Sequence, residues 1–290
     1  MVFMKAAKKC TVMLTMIAFI MSIMAVTAFA EANIDWEKGV IRATGLAGGK
    51  KGENRKGILR AQARRAARMD AERNLAEQVH GVQIDAESKM EDLELKYDSV
   101  RTAVSALLKD MYEVGEAKFF DDDTCEITME VPLWGKNSAA SAAFLPFKDE
   151  PKVAFPKPTA TTDSTITIKN KTAVGAAVSN KYTGLIVDCS GLGLKPVMSP
   201  VIKNDSGQAI YGHENLDYDK VIEFGMASYV KNASDVSAAT RAGNNPIVVK
   251  ALSVENFNAN PVITISDSDS ILIANQGAHF LDDCAVVFVR

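Results

Sequence analysis

The sequence predicts an α+β protein, built as two small α+β domains joined by a Pro/Thr-rich linker. Three features carry that prediction. Apolar residues recur every four positions from Leu59 to Val79, the spacing of a helix ridge, whereas Cys125–Val131 alternates as a strand does. From Lys148 to Asn180 the composition turns to proline, threonine and scattered lysine with no helical period. Beyond it, strand-like runs return, with one short helical stretch before a last apolar strand.

In chain order, residues 1–30 read as a secretory signal peptide. Lys5, Lys8 and Lys9 precede an apolar run from Thr11 to Val26, and Thr27-Ala28-Phe29-Ala30 places small residues where a signal peptidase reads. The run is shorter than the roughly 20 residues that cross a bilayer, and polar sequence resumes at Glu31. Cys10 precedes the apolar core instead of standing at the cleavage point, so no lipid attachment is expected. The mature chain should begin at Glu31, be soluble without a stable membrane anchor, and work in the periplasm or outside the cell. Cleavage removes three lysines and no acids, taking the formal charge from -3 to about -6. A mildly acidic chain has no global attraction to nucleic acid or anionic lipid.

The first domain, residues 31–147, opens with a strand at Trp36–Leu46 and a Gly/Lys-rich turn at Gly48–Gly52. A long helix follows from Arg55 to Val79, with Gly81 where helices commonly stop. Its ridge, Leu59, Ala63, Ala67, Ala71, Leu75 and Val79, is thin because of its alanines, which lets the helix sit close against a sheet. A second helix is read at Ser99–Met111, from Val100, Val104, Leu107, Leu108 and Met111. Strands at Glu116–Phe120 and Cys125–Val131 flank the turn Asp121-Asp122-Asp123, and a short strand after Gly81 is allowed for. The first domain is therefore a sheet with its helices on one face.

The linker, residues 148–180, carries Pro151, Pro156 and Pro158 and one extended strand at Ser164–Ile168. In the second domain, residues 181–290, strands are expected at Thr183–Cys189 and at Lys195–Lys203, the latter bounded by Pro196 and Pro200. Asn204-Asp205-Ser206-Gly207 is a hairpin turn leading to Gln208–Tyr211. Pro246–Val254 reads as a strand, Asp267–Asn275 as a helix capped by Asp267 or Asp269, and Ala285–Val289 as the final strand.

Candidate chemistry is sparse. Cys189-Ser190-Gly191-Leu192-Gly193-Leu194-Lys195 lacks the glycine spacing and the Lys-Ser/Thr ending of a phosphate loop, so a glycine-rich strand connection is the better reading. Mature cysteines Cys125, Cys189 and Cys284 are odd in number; one bridge plus a free thiol and three buried thiols are both open, and Cys189 with Cys284 is the pair to test. His279 lies near Cys284 in sequence, but apolar neighbours favour an inert thiol over a nucleophile. His80, His213 and His279 are dispersed, without paired ligand spacing, so no metal and no cofactor are expected. Asp121-Asp122-Asp123 and Asp267-Ser268-Asp269 read as a turn and a helix cap, not as calcium loops. Between Arg55 and Val79 there are seven basic and three acidic residues, so one helix face is locally positive. A solvated face is the ordinary account; the sharper one is docking onto an acidic protein partner or anionic lipid, with Arg60, Arg64 and Arg68 as the contact residues.

The strand ending Ala43-Thr44-Gly45, the helix Arg64-Arg65-Ala66-Ala67-Arg68-Met69-Asp70-Ala71-Glu72-Arg73-Asn74-Leu75 and the stop Val79-His80-Gly81-Val82 resemble the domain shared by the Lpp-twenty surface lipoproteins and the N-terminal region of the flagellar assembly protein T family. Tyr182–Asp188, with Gly191-Leu192 and Pro196, looks like a segment often joined to that domain in exported bacterial proteins. The lipoproteins carry a lipidated cysteine that this chain lacks. The resemblance implies an exported, non-enzymatic envelope protein, and for the flagellar relatives a ring component of the basal body. The expectation is an assembly or scaffold factor whose partners are envelope or basal-body proteins, with oligomerisation left open. The alternative is a secreted small-ligand-binding protein or hydrolase using the second domain.

Overall fold

The computed structural model describes residues 34–50, 52, 55–159, 167–168, 171–172 and 182–290. The expected leader therefore lies outside the described residues, as does much of the linker after Thr159. Among the described residues, no helix is long and apolar enough to cross a membrane.

The first domain is an antiparallel sheet of β1 (Ile34–Asp35), β2 (Val40–Ala47), β3 (Tyr112–Phe119) and β4 (Cys125–Pro132), in the order β1-β2-β4-β3. Its inner face, Ile41, Ala43, Ile127, Met129 and Val131, is buried under α1 (Lys56–His80). Ala63, Ala67, Ala71, Leu75 and Val79 are the buried ridge of that helix, and Leu59 is only half-buried. The thin ridge permits a backbone-to-backbone approach at Gly45. A β-carbon there would overlap the Ala67 carbonyl oxygen and the Ala71 nitrogen, and would lie 2.8 Å from Ala71 Cα. Beyond the reach of the short β1, α1 also satisfies the free edge of β2. Asp70 accepts from Leu46 N–H at 3.2 Å, and Asn74 Nδ2 donates to the Thr44 carbonyl at 3.0 Å.

The outer face of this sheet is a polar ladder. Arg42 pairs with Glu130, to which Tyr112 also donates at 2.6 Å, while Thr44 faces Thr128 and Lys118 bonds Glu126. The chain then forms α2 (Met90–Lys96), which sequence periodicity did not resolve, and α3 (Asp98–Lys109). His80 at the end of α1 hydrogen-bonds Glu94 of α2 at 2.6 Å. The strand allowed for after Gly81 is a single bridge, Gln83 to Lys89. A short helix, α4 (Ala139–Ala143), is capped by Ser138 and runs into a 3-10 turn at Leu145–Phe147.

The described part of the later linker holds a two-residue pair, β5 (Thr167–Ile168) and β6 (Lys171–Thr172), at the end of the strand expected at Ser164–Ile168. The second domain contains two four-stranded sheets. One is wholly parallel: β10 (Ser228–Val230), β14 (Val286–Val289), β7 (Leu185–Asp188) and β11 (Ile247–Lys250), in that order. The other, in the order β12-β13-β8-β9, comprises β8 (Ile202–Asn204), β9 (Ala209–Tyr211), β12 (Ser253–Glu255) and β13 (Asn260–Ile263). Helices α5 (Tyr218–Phe224), α6 (Val236–Ala242) and α7 (Ile265–Ala278) complete it.

Three expectations are corrected here. The strand read at Lys195–Lys203 begins only at Ile202, because Pro196 and Pro200 have no N–H for a ladder. The run Pro246–Val254 is two strands in different sheets: Ala251 N–H still bonds Asp188 of the first, and Leu252 N–H turns to Val262 of the second. The cap of α7 is Thr264, whose Oγ1 accepts from Asp267 N–H at 3.0 Å.

Both domains share one buried cluster, and residues 34–290 form a single compact unit. Trp134 of the first domain packs against Gly225 of the second, and Gly135 N–H bonds the Ile222 carbonyl at 2.7 Å. Trp36 meets Tyr229 edge-on at 5.5 Å, and Tyr229 in turn packs on Phe288. At another point Met198 and Ser199 N–H groups bond the Gln83 and Ile84 carbonyls at 3.1 and 2.6 Å.

Candidate functional site

The segment expected to begin the linker is fastened to the second domain over Lys148–Thr159. It runs antiparallel to α7, with Lys152 beside Asp282 just past the end of that helix and Thr159 beside Asp269 near its start. Prolines at 151, 156 and 158 cannot donate to a sheet, so the strap stays extended and depends on other partners. Those partners are specific. Val153 N–H donates to the Glu214 carbonyl at 2.7 Å, and Asn215 Nδ2 donates to the Val153 and Ala154 carbonyls at 3.2 and 3.5 Å. Lys152 Nζ bonds Asp282 at 2.6 Å, and Thr159 N–H donates to Asp269 at 2.7 Å. Phe155 packs against the core, with the Lys152 ammonium 5.8 Å from its ring centre.

The receiving surface also has bonds of its own. Asn275, 5 % exposed, donates to Asp282 at 3.1 Å and accepts from Leu281 N–H, so it fixes both the carboxylate and the loop that carries it. Burial alone would raise the Asp282 pKa, but the bonds from Lys152 and Asn275 outweigh it and hold the carboxyl below its ordinary range. A cavity of about 480 Å³ lies on one side of the strap, between Phe144 and Phe147 of the first domain and His213, Leu216 and Tyr218 of the second. A second, of about 470 Å³, lies between the strap and the Leu272, Gln276 and His279 face of α7. Lys152 borders both.

Ser199 and His213 meet at the edge of the first cavity, Oγ to Nδ1 at 3.3 Å. Among the described residues, no carboxylate hydrogen-bonds that ring, which instead sits 5.6 Å from Phe147, and Ser199 is buried. A nucleophile needs an oriented base and an open approach, so this pair is suited to holding the domain junction.

The arginines expected to dock a partner are engaged within the first domain. Arg60 donates to Asp123 at 3.1 Å, Arg64 makes a two-pronged bond to Glu113 at 2.8 and 3.0 Å, and Arg68 pairs with Glu72 at 2.8 Å. Such exposed pairs add little stability, but they neutralise the face and orient α1 over β3 and its turn. Asp123 therefore belongs to this pairing, and Asp122 caps Thr124 N–H in the turn, as sequence suggested. Among the described residues, no group of three or more His, Cys, Asp or Glu side chains could hold a metal ion.

Cys125, Cys189 and Cys284 are all free and buried, so of the two arrangements left open it is the three buried thiols, and not a Cys189–Cys284 bridge, that the structure holds. Cys189 follows Asp188 at the carboxyl end of β7, whereas Cys284 precedes Val286 at the amino end of the adjacent parallel β14. At least the length of the paired strands separates them, no less than about 10 Å at 3.3 Å per residue, beyond the roughly 7 Å between α-carbons that a disulfide spans. Burial pushes the Cys189 thiol up to about 12 and also raises Cys125 and Cys284, the opposite of nucleophile activation. Alkylation of the denatured, unreduced protein should label Cys125, Cys189 and Cys284 once each, with little labelling of the folded chain at pH 8. Labels that appear only after reduction would mean that a bridge forms.

With the geometry of the second domain in place, its relationship can be stated. Residues 184–290 match the family described as Treponema pallidum Tp0624, second domain. That match starts at the entry to β7 and covers both sheets of the second domain. No curated protein matches the chain.

The groove was missed by sequence reasoning because its parts are distant in the chain. The usable signal was the proline run itself, an extended segment of the kind that grooves bind.

Proposed function

We propose that this is an exported, non-enzymatic envelope protein acting as an assembly or scaffold factor. The observation that carries this reading is the packed junction, in which Trp134, the Gly135–Ile222 bond and the strap join two domains into one compact unit. A scaffold needs that property, because it presents surfaces on different domains at a constant spacing. The leader pattern supports export, and the resemblance of the first domain supports an envelope or flagellar basal-body setting.

Crosslinking in intact cells, followed by affinity recovery and mass spectrometry, tests the reading. Basal-body or outer-membrane proteins should be recovered; recovery of the protein alone would count against a scaffold. It would favour the second reading, a ligand-binding second domain, for which the cavity of about 480 Å³ at the domain junction is the supporting observation. Replacing Arg60, Arg64 and Arg68 with glutamate would not isolate a partner contact. It would set carboxylates against Asp123, Glu113 and Glu72 and so disturb the fold as well as any contact.

A further inference from the structure

We propose that the groove beneath Pro151–Thr159 is a receptor for an extended, proline-containing peptide segment of a partner protein, in which a basic residue precedes an aromatic one by three positions. The chain's own strap is its resident occupant. This inference rests on the scaffold reading and names the chemistry of the partner.

The strap is held as a bound peptide is held. The Glu214 carbonyl and the Asn215 side-chain amide fix its backbone, a carboxylate at each end fixes its register, and Phe155 anchors its centre. The end carboxylates belong to the receiving domain. Asp269 is 5 % exposed, and Asp282 is oriented by the buried Asn275, so both are presented by the rigid helix α7 and its following turn. The occupant is less well matched than its seat. Lys152, Val153 and Lys157 remain exposed, and cavities of about 480 and 470 Å³ are left on its two sides. A segment with the same cation and ring but larger flanking side chains would keep the same bonds and fill space that the strap leaves empty. Where Lys152 enters, the groove presents the Asp282 carboxylate, which favours a basic residue at that position.

A tethered occupant competes at millimolar effective concentration, so the groove of the unaltered chain is masked. The probe is a fluorescently labelled synthetic peptide of residues 148–159, titrated by anisotropy into the full chain. With the strap loosened by Lys152→Ala and Phe155→Ala together, binding should be at least about tenfold tighter than to the unaltered chain. Adding Asn215→Ala should weaken it by about tenfold, the value of roughly one hydrogen bond. If the double variant folds poorly, Val153→Pro serves instead: at a half-exposed position in an already extended segment, it removes the donor to Glu214. Binding no better than that of a scrambled peptide, or binding indifferent to Asn215→Ala, overturns the proposal. Because the probe involves no envelope protein, this result is independent of the crosslinking outcome. Peptide binding without envelope partners would sink the scaffold reading alone, and the reverse outcome would sink only the groove.

Discussion

Gly45→Ala should destabilise the protein by about 3 kcal/mol, lowering the urea midpoint while leaving the slope unchanged. Two effects oppose each other at this position. Glycine in a strand costs conformational entropy, so alanine alone would be expected to stabilise by about 0.4–1 kcal/mol. Against this, the added methyl overlaps the Ala67 carbonyl oxygen and the Ala71 nitrogen and stands 2.8 Å from Ala71 Cα. These are backbone atoms of a helix and cannot rotate away as a side-chain end would, so the whole of α1 must lift from the sheet. That movement would also stretch the Asp70 and Asn74 bonds to the edge of β2. Sterics should therefore win by a wide margin. Thr44→Ala on the exposed face of the same strand is the control and should stay within about 0.5 kcal/mol of the unaltered chain. A Gly45→Ala midpoint no lower than that of the control would mean that the helix does not approach as closely as described.

This contact shows why the first domain was readable from sequence. A ridge repeating every four residues, thinned by alanine, is local information, and five of its six members are buried as that pattern requires. The alternation of Ile127, Met129 and Val131 is equally local, and it fixes which face of β4 meets α1. Short helices were harder. In α2 only Met90 and Leu93 are buried, and in α5 only Val221 and Ile222, too few positions to establish a period. The run Pro246–Val254 failed for a different reason: its continuous apolar character suits both β11 and β12, and the change of sheet at Ala251–Leu252 is decided by partners elsewhere in the chain.

Site chemistry was less legible still. Arginine spacing shows a positive helix face, but the carboxylates that neutralise it, Glu113 and Asp123, come from β3 and the turn after it, much later in the chain. The proposed cysteine pair lies in apolar runs of one domain, as sequence suggested. Parallel register nevertheless puts the two residues at opposite ends of neighbouring strands. Nothing in the linker composition shows that its first part is docked, because Asn215, Asp269 and Asp282 are spread over separate loops and a helix. Proline content could indicate an extended segment but not where that segment lies.

The junction between the domains supports the second large prediction: Trp134→Ala should cost about 3 kcal/mol, toward the lower end for loss of a large aromatic since the ring is only partly buried. For a unit of this size, that corresponds to a melting point lower by roughly 6–12 °C. The indole is fitted on two sides, because a β-carbon at Gly39 would come within 2.9 Å of its Cδ1 and one at Gly225 within 2.7 Å of its six-membered ring. Gly225 also has φ of 72°, a conformation other residues adopt only with strain, so the sequence supplies both the space and the backbone turn that the ring requires. Removing the ring takes away the neighbour of Trp36 and the filling beside Gly225, while the Trp36–Tyr229 contact, the strap and the Met198 and Ser199 bonds still hold. The domains should then loosen before either unfolds. Calorimetry should resolve a single transition for the unaltered chain into two for Trp134→Ala, and protease cleavage between residues 132 and 136 should appear below the first. If the variant keeps one sharp transition within about 2 °C of the unaltered chain, less than 1 kcal/mol has been lost and the ring does not couple the domains. The fixed spacing on which the scaffold reading depends would then have to come from the strap, the Trp36–Tyr229 contact and the backbone bonds of Gly135, Met198 and Ser199.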